Sequence, residues 1–188
     1  AVDGLVRHLA RVGLAAGDVF EAMRKGVRRY PIQQSCDTEA ITTTELLALL
    51  RACRRDPIVA RGTRDAAVIA LLASTGARRA EIANVAVADL DRTAAIVTFT
   101  EVKGGASREA AIHHEVDGYL DDWLEIRGAG AGSLFCPVLK SGRLRPHAGI
   151  SDHAVWEIVT KRRDASGIRS EITPHSFRRW YVSSLLEN

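Results

Sequence analysis

Two short segments place arginine where it could hold an anion. In Thr75-Gly76-Ala77-Arg78, an arginine follows a glycine turn at a helix start, and Glu81 lies three residues on along the same helical face. His175 and Arg178 share the first turn of a second helix that starts near Thr173-Pro174, where the helix dipole adds partial positive charge. Arginine binds phosphate oxygens through paired hydrogen bonds, and histidine transfers protons near neutral pH. If the two segments converge, they form a site suited to a phosphate.

A lysine at the tip of a predicted hairpin is the third candidate. Lys103 stands in the run Val102-Lys103-Gly104-Gly105, and a lysine on a glycine turn can reach a ligand on the neighbouring surface. Taken singly, Lys103 is an ordinary polar turn residue and Arg78 an ordinary surface arginine. The interpretation therefore depends on the three segments occurring together.

Helices must position the arginines, and a hairpin must position the lysine. A capping box of Thr42 and Glu45 opens one helix, and an apolar stripe that starts at Arg64 and stops at Gly76 indicates the next. Further helices are predicted over residues 77–87, 119–126 and 153–163, and from 173 to the chain end. Residues 95–102 and 108–112 read as two antiparallel strands around Gly104-Gly105. The sequence thus predicts a mainly helical domain with a small antiparallel hairpin or sheet, an α+β fold.

The N-terminal part differs from this body in charge. Residues 1–31, predicted to form two short helices, hold six basic and three acidic residues, which is the whole net charge of +3. Residues 32–41 have no periodicity and are predicted to be a linker, so that the main domain covers 42–188. A basic stretch such as 24–29 is often only a solvated helix face, so charge alone does not indicate nucleic acid.

Several other classes of protein and site are excluded. With 46% hydrophobic and 26% charged residues, the 188-residue chain is too apolar to be disordered. Its longest apolar run, residues 66–73, is far shorter than the roughly 20 residues of a membrane span, and no signal segment opens it, so we expect an intracellular, cytoplasmic protein. The three cysteines never form a CxxC pair, and no ligand spacing surrounds His113-His114, so no metal is expected. The glycine-rich loop 128–132 follows a helix, which favours a flexible connection over a nucleotide site.

The order of the three segments resembles a known family. Thr-Gly-x-Arg-x-x-Glu, then a lysine-bearing hairpin, then His-x-x-Arg before an apolar helix resembles the catalytic domain of tyrosine recombinases, the phage-type integrases, over residues 42–188. Residues 1–31 look like the last helices of the family's DNA-clamping core-binding domain. Each motif is weak alone, but the three in this order are a strong signal.

The resemblance implies a reaction and a role for each candidate. It implies cleavage and rejoining of DNA strands through a 3′-phosphotyrosine, without metal or cofactor. Arg78 and Arg178 would clamp the phosphate oxygens, Lys103 would protonate the leaving 5′-oxygen, His175 would be an acid/base partner, and Glu81 would orient Arg78. The implied partner is double-stranded DNA, with a homotetramer on paired sites when the protein is complete, in a prokaryotic cytoplasm. Possible contacts to DNA phosphates are Arg79, Lys140, Arg143, Arg145 and Arg179.

The nucleophile departs from the family pattern. The family places its tyrosine on helices after the His-x-x-Arg helix, whereas this sequence stops at Asn188. We therefore expect a fragment that lacks the nucleophile and does not cleave DNA by itself, with Tyr181 packed into the domain. Two other readings stay open: a non-catalytic DNA-binding relative on the same scaffold, and a helical interaction module whose arginines are merely surface residues.

Overall fold

A computed structural model describes residues 39–100 and 107–187. The helices predicted in residues 1–31, most of the linker and the turn with Lys103 lie outside the described residues. Six α-helices and three strands lie within the described ranges. They are α1 (Thr43–Arg54), α2 (Val59–Thr75), α3 (Arg79–Asn84), β1 (Leu90–Asp91), β2 (Ile96–Thr100), β3 (Ser107–Ala111), α4 (His114–Arg127), α5 (Asp152–Ser166) and α6 (Pro174–Glu187). The predicted fold class, mainly helical with a small antiparallel sheet, is confirmed.

Helix α2 is the centre of the domain. Every residue from Asp65 to Thr75 is buried, and α1, α4 and α6 pack against it. A helix that is apolar on all sides is stable only inside a protein, and the many alanines of α2 let its neighbours approach closely. Because Gly76 and Arg78 follow directly after α2, the most enclosed helix of the fold fixes where they lie.

The ends of α1 and α2 follow local signals. Thr42 and Glu45 form the predicted capping box, in which the Glu45 amide donates to Thr42 Oγ1 at 3.2 Å and the Thr42 amide to Glu45 Oε2 at 2.8 Å. Gly76 ends α2 in the left-handed conformation, φ +56°, as predicted. Helix α2 begins at Val59, five residues before the predicted start, and its first residues, Val59 to Thr63, include an arginine and a glycine that do not continue the apolar stripe.

The sheet has one more strand than predicted. The three strands are antiparallel in the order β1-β2-β3, with Phe99 opposite Arg108. The predicted continuation of α3 to Val87 is wrong, because α3 ends at Asn84. Val87 N–H donates to Gly132 O at 3.0 Å and Leu134 N–H donates to Val85 O at 2.8 Å, so this segment pairs with a distant loop instead of coiling.

The glycine-rich loop after α4 is held in place instead of being a flexible connection. Arg127 is buried, and its guanidinium donates to the carbonyl oxygens of Gly128 at 2.7 Å, Gly130 at 2.6 Å and Ser133 at 2.8 Å. These carbonyls all bind one buried guanidinium, which fixes the loop against the end of α4.

A buried ion network joins the helices at the far end of α2. Arg162 of α5 donates from Nε to Asp65 at 2.8 Å and from Nη2 to Asp56 at 2.5 Å, while Arg61 and Arg64 bind the same two carboxylates. The network links α5 to the start of α2. In the described parts of the chain, no helix is long and apolar enough to cross a membrane.

Candidate active site

Arg78 lies where α2 passes into α3. It is the N-cap residue of α3 with extended backbone, φ −74° and ψ 155°, two residues after the left-handed Gly76. The Arg78 N–H donates to Glu81 Oε2 at 2.7 Å, which satisfies an amide at the helix start. Its side chain is 47% exposed and reaches Glu81 Oε1 with Nη1 at 3.4 Å. The backbone of Arg78 is thus fixed, and its guanidinium lies at the surface.

Helix α6 meets this junction through Gly76. Arg178 Nη1 donates to the Gly76 carbonyl at 3.0 Å, across 102 residues of sequence. The ring of Tyr181, one turn further along α6, packs on the same glycine, because a methyl group added at Gly76 would lie 2.7 Å from Tyr181 Cδ1. Two contacts on one residue therefore bring Arg178 beside the segment that holds Arg78.

His175 occupies the first turn of α6. Its backbone N–H donates to Thr173 Oγ1 at 3.3 Å, and Pro174 is the first helical residue, a position that needs no amide donor. Partial burial lowers the pKa of the His175 imidazole, and the positive charges of Arg179 and Arg178 lower it further. The imidazole is therefore neutral at neutral pH and able to accept a proton.

Glu81 binds a second arginine that the sequence did not single out. Arg108 of β3 donates from Nε to Glu81 Oε1 at 3.0 Å and from Nη2 to Glu81 Oε2 at 2.6 Å. Burial alone would raise the pKa of Glu81, but the hydrogen bonds from Arg108 and from the Arg78 backbone, with both positive charges, lower it. Glu81 is thus an ionised carboxylate beneath the surface, shared by two arginines from separate elements.

The arrangement suits an anion. Arg78 stands at the start of α3, and Arg178 reaches the nearby Gly76 carbonyl from α6. His175 lies in the first turn of α6, and Arg179 adds a charge beside it. Guanidinium groups and helix N-termini are both donors that favour phosphate oxygens. Lys103 lies outside the described residues. The strands that flank its segment are paired up to Thr100 and Ser107.

Comparison with known proteins identifies the family. The sequence profile described as the phage integrase family matches residues 39–188. The chain belongs to the phage integrase family.

Among the relatives of this chain, tyrosine recombinase XerD of Mycobacterium tuberculosis (strain CDC 1551 / Oshkosh) is 32% identical over 201 residues, covering all of this chain and 59% of XerD. The chain thus spans about three fifths of the length of the curated relatives it matches. The XerA recombinase structure shares 22% identity at a TM-score of 0.66 over 95% of this chain and 60% of its own. A lambda integrase dimer bound to a COC' core site shares 18% at 0.58 over all of this chain and 56% of its own. The two likenesses show a common fold.

The tyrosines in the described part of the chain, Tyr119 and Tyr181, are packed side chains. Burial raises the pKa of Tyr181, although the charge of Arg108 acts in the opposite direction. A raised pKa makes its hydroxyl a weaker nucleophile at neutral pH. Tyr119 of α4 is half-buried and carries the Arg54 guanidinium 5.8 Å from its ring centroid, and Tyr30 lies outside the described residues.

The residues predicted to contact DNA fall in three places. Arg79 begins α3 and lies 3.8 Å from the Asp152 carboxylate at the start of α5, and Arg179 is half-buried on α6 next to Arg178. The other three, Lys140, Arg143 and Arg145, are exposed on the loop before α5. Leu139 N–H donates to Arg143 O at 2.9 Å there, so a tight turn presents this group.

Arg108 is the site residue that sequence reasoning missed. It carries no local motif, and its partner Glu81 is 27 residues away. The available signal was the alternation of faces along β3. Arg108 lies two residues before the buried Ala110, so the two side chains share one face of the strand. An arginine on the same face as a buried alanine needs a buried acid to pair with.

Proposed function

We propose that this chain is most of the catalytic domain of a tyrosine recombinase and lacks its nucleophile, and that the whole protein cuts and rejoins DNA strands at specific sites through a 3′-phosphotyrosine. The observation that carries the proposal is the hydrogen bond of Arg178 to the Gly76 carbonyl, 3.0 Å, because it joins two arginine segments that are far apart in sequence. The names of the relatives support it, since XerD and XerC are tyrosine recombinases.

The residues divide the work of phosphoryl transfer. A tyrosine oxygen bonds to phosphorus as the bond to the 5′-oxygen breaks, and negative charge grows on the phosphate oxygens. Arg78 and Arg178 stabilise this charge, and loss of one such preorganised donor costs about 100- to 1,000-fold in rate. Lys103 protonates the leaving 5′-oxygen, and the neutral His175 accepts or returns a proton near the nucleophile.

The proposal includes a domain arrangement. Residues 42–188 form most of the catalytic domain, 1–31 end a DNA-clamping domain, and 32–41 connect them. The proposed attacking tyrosine lies outside this chain, and the packing of the Tyr181 ring on Gly76 supports this. The start of the family match at residue 39 supports the boundary at 42.

Double-stranded DNA is the proposed partner, bound in the cytoplasm of a prokaryote by four copies on paired sites. The lambda integrase structure that shares this fold is bound to a core site, which supports the DNA part. The positive groups at the Gly76 junction bind the scissile phosphate. Neighbouring phosphates are contacted by Arg79, Lys140, Arg143, Arg145 and Arg179.

The test is the affinity of the chain for duplex DNA at several salt concentrations. We expect affinity to fall steeply as salt rises, since each neutralised phosphate releases counterions. Arg78→Ala and Arg178→Ala should each weaken binding about 10-fold, in line with the loss of a charged hydrogen bond. Arg51→Ala is the matched control, because Arg51 is an exposed arginine near the α1–α2 connection, at the end of α2 opposite Gly76.

The DNA affinities of these variants distinguish a shared phosphate site from a general effect of charge. Equal affinity for the wild type and the Arg78→Ala/Arg178→Ala double variant contradicts a shared phosphate site. Equal losses for Arg51→Ala and Arg78→Ala would show only a general charge effect.

A further inference from the structure

One buried carboxylate serves two arginines with different functions. Glu81 is only 5% exposed in its side chain, and it accepts both hydrogen bonds of the Arg108 fork at 3.0 and 2.6 Å. The remaining contacts come from Arg78, one strong through its backbone N–H at 2.7 Å and one longer through Nη1 at 3.4 Å. A carboxylate offers about four lone-pair positions, so Arg108 takes up much of what Glu81 can accept.

We infer that Arg108 is a positioning residue of the phosphate site: by occupying Glu81 it keeps the Arg78 guanidinium at the surface, where it can bind a DNA phosphate. This inference rests on the proposed function for the role of Arg78. It assigns Arg108 no contact with DNA.

The reason is competition for a buried charge. An ionised carboxylate that is buried without a partner is strongly unfavourable, so it draws in the nearest cation. If Arg108 is removed, that cation is Arg78, whose Nη1 already lies 3.4 Å from Glu81 Oε1. The Arg78 guanidinium then closes onto Glu81 as a paired ion bridge, and its charge is no longer available to a phosphate.

The surroundings of Arg108 are suited to a fixed position. It pairs with Phe99 across β2 and β3, and its guanidinium carbon lies 4.6 Å from the centroid of the buried Phe99 ring. Strand pairing and ring contact both restrict the side chain, which is 34% exposed. Arg108 also stands two residues after the segment 101–106, so its bond to Glu81 ties the paired ends of β2 and β3 beside that segment to α3.

The proposal makes an unusual prediction about rescue. Arg108→Met should weaken duplex DNA binding about 10-fold, as much as Arg78→Ala, and combining the two should be no worse than Arg78→Ala alone, since both remove the same contact. Adding Glu81→Gln to Arg108→Met should restore most of the affinity. The neutral amide still accepts from the Arg78 backbone but no longer attracts its guanidinium, and the net charge of the three groups equals that of the wild type.

Two measurements on the same variants test whether Arg108 keeps the Arg78 guanidinium from closing onto Glu81. They are DNA affinity by fluorescence anisotropy, and hydrogen exchange of the Arg78 Nε–H by ¹⁵N NMR without DNA. Slower exchange in Arg108→Met, reversed by Glu81→Gln, supports the inference. A purely structural role of Arg108 would leave the exchange of the Arg78 Nε–H unchanged, even where Glu81→Gln restores stability by removing the unpaired buried charge. Arg108→Lys keeps the charge but not the two-pronged bond. It is the variant to use if Arg108→Met fails to fold, and it should show the same changes at smaller size.

The results distinguish this inference from the function on which it rests. If Arg78→Ala weakens DNA binding but Arg108→Met and Arg108→Lys do not, the inference is wrong and the proposed function stands. If the wild type does not bind DNA, the proposed function fails, and the NMR exchange rate still decides whether Arg108 controls Arg78. Unchanged exchange in every Arg108 variant overturns the inference.

Discussion

The contact of Tyr181 with Gly76 can be tested by adding a single methyl group. Gly76→Ala meets two separate obstacles. At φ +56° an alanine is in the left-handed region, which costs about 1–2 kcal/mol. Its methyl group would also lie 2.7 Å from Tyr181 Cδ1 and 3.1 Å from Cγ, so α6 must move, and overpacking of this kind costs about 1–3 kcal/mol.

The expected loss is the sum of the two, about 2–5 kcal/mol of unfolding free energy. At about 2–4 °C per kcal/mol for a domain of this size, the midpoint of thermal unfolding falls by about 4–20 °C. The assay is thermal and urea unfolding followed by circular dichroism. DNA affinity should fall as well, since Arg178 binds the carbonyl of the same residue.

Substitutions at two other glycines separate the backbone cost of Gly76→Ala from its packing cost. Gly167 ends α5 at φ +76° with open space around it, so Gly167→Ala should cost only the backbone part, about 1–2 kcal/mol. Gly118 lies within α4 with nothing near a Cβ, so Gly118→Ala should stabilise by about 0.5–1 kcal/mol. In a Tyr181→Ala background, the cost of Gly76→Ala should drop toward that of Gly167→Ala, because the contacts with Cδ1 and Cγ are gone and the contact with Cβ, at 3.2 Å, remains. If Gly76→Ala destabilises no more than Gly167→Ala in the wild type, the packing of α6 on this glycine is wrong.

Three further predictions concern stability. Arg162→Ala leaves the buried carboxylates of Asp65 and Asp56 without their shared cation and should cost about 3–5 kcal/mol in urea unfolding, and a loss below 1 kcal/mol would contradict the network. Burial would raise the pKa of Asp56, but hydrogen bonds from arginine side chains and a backbone amide lower it from its ordinary value of 3.8 to about 2. The ionised Asp56 carboxylate therefore stabilises the fold fully above pH 3.8, and this stabilisation is lost as the pH falls toward 2. The acid unfolding curves of Asp56→Asn and the wild type should converge there. Thr42→Ala removes half of the capping box with Glu45 and should cost about 1 kcal/mol, and an unchanged unfolding midpoint would contradict the cap.

Local signals were predictable from the sequence. The Thr42 cap, the Gly76 end of α2 and the pairing of β2 with β3 depend on residues close together in the chain, and all three are confirmed. The end of α3 was not predictable in this way, because Val85 and Val87 leave the helix to pair with residues 132–134. Strand pairing over that distance has no local signature.

The same limit applies to the site. The sequence indicates which residues could bind a phosphate, but their meeting depends on Arg178 reaching Gly76 across 102 residues. The order of the three motifs predicts this meeting only through resemblance to a family. Glu81 illustrates what local spacing does and does not predict. Its spacing to Arg78 is visible in the sequence, whereas Arg108, which binds it through two side-chain hydrogen bonds, comes from another element.

The central claim is that Arg78 and Arg178 hold a phosphate attacked by a tyrosine outside this chain. It is tested most directly by expressing the complete open reading frame that encodes the chain and capturing protein covalently joined to DNA under denaturing conditions. We expect a covalent complex whose linked residue is a tyrosine other than Tyr181, and at least a 100-fold slower formation for Arg178→Ala. Attachment at Tyr181, or unchanged formation in Arg178→Ala, would contradict the claim.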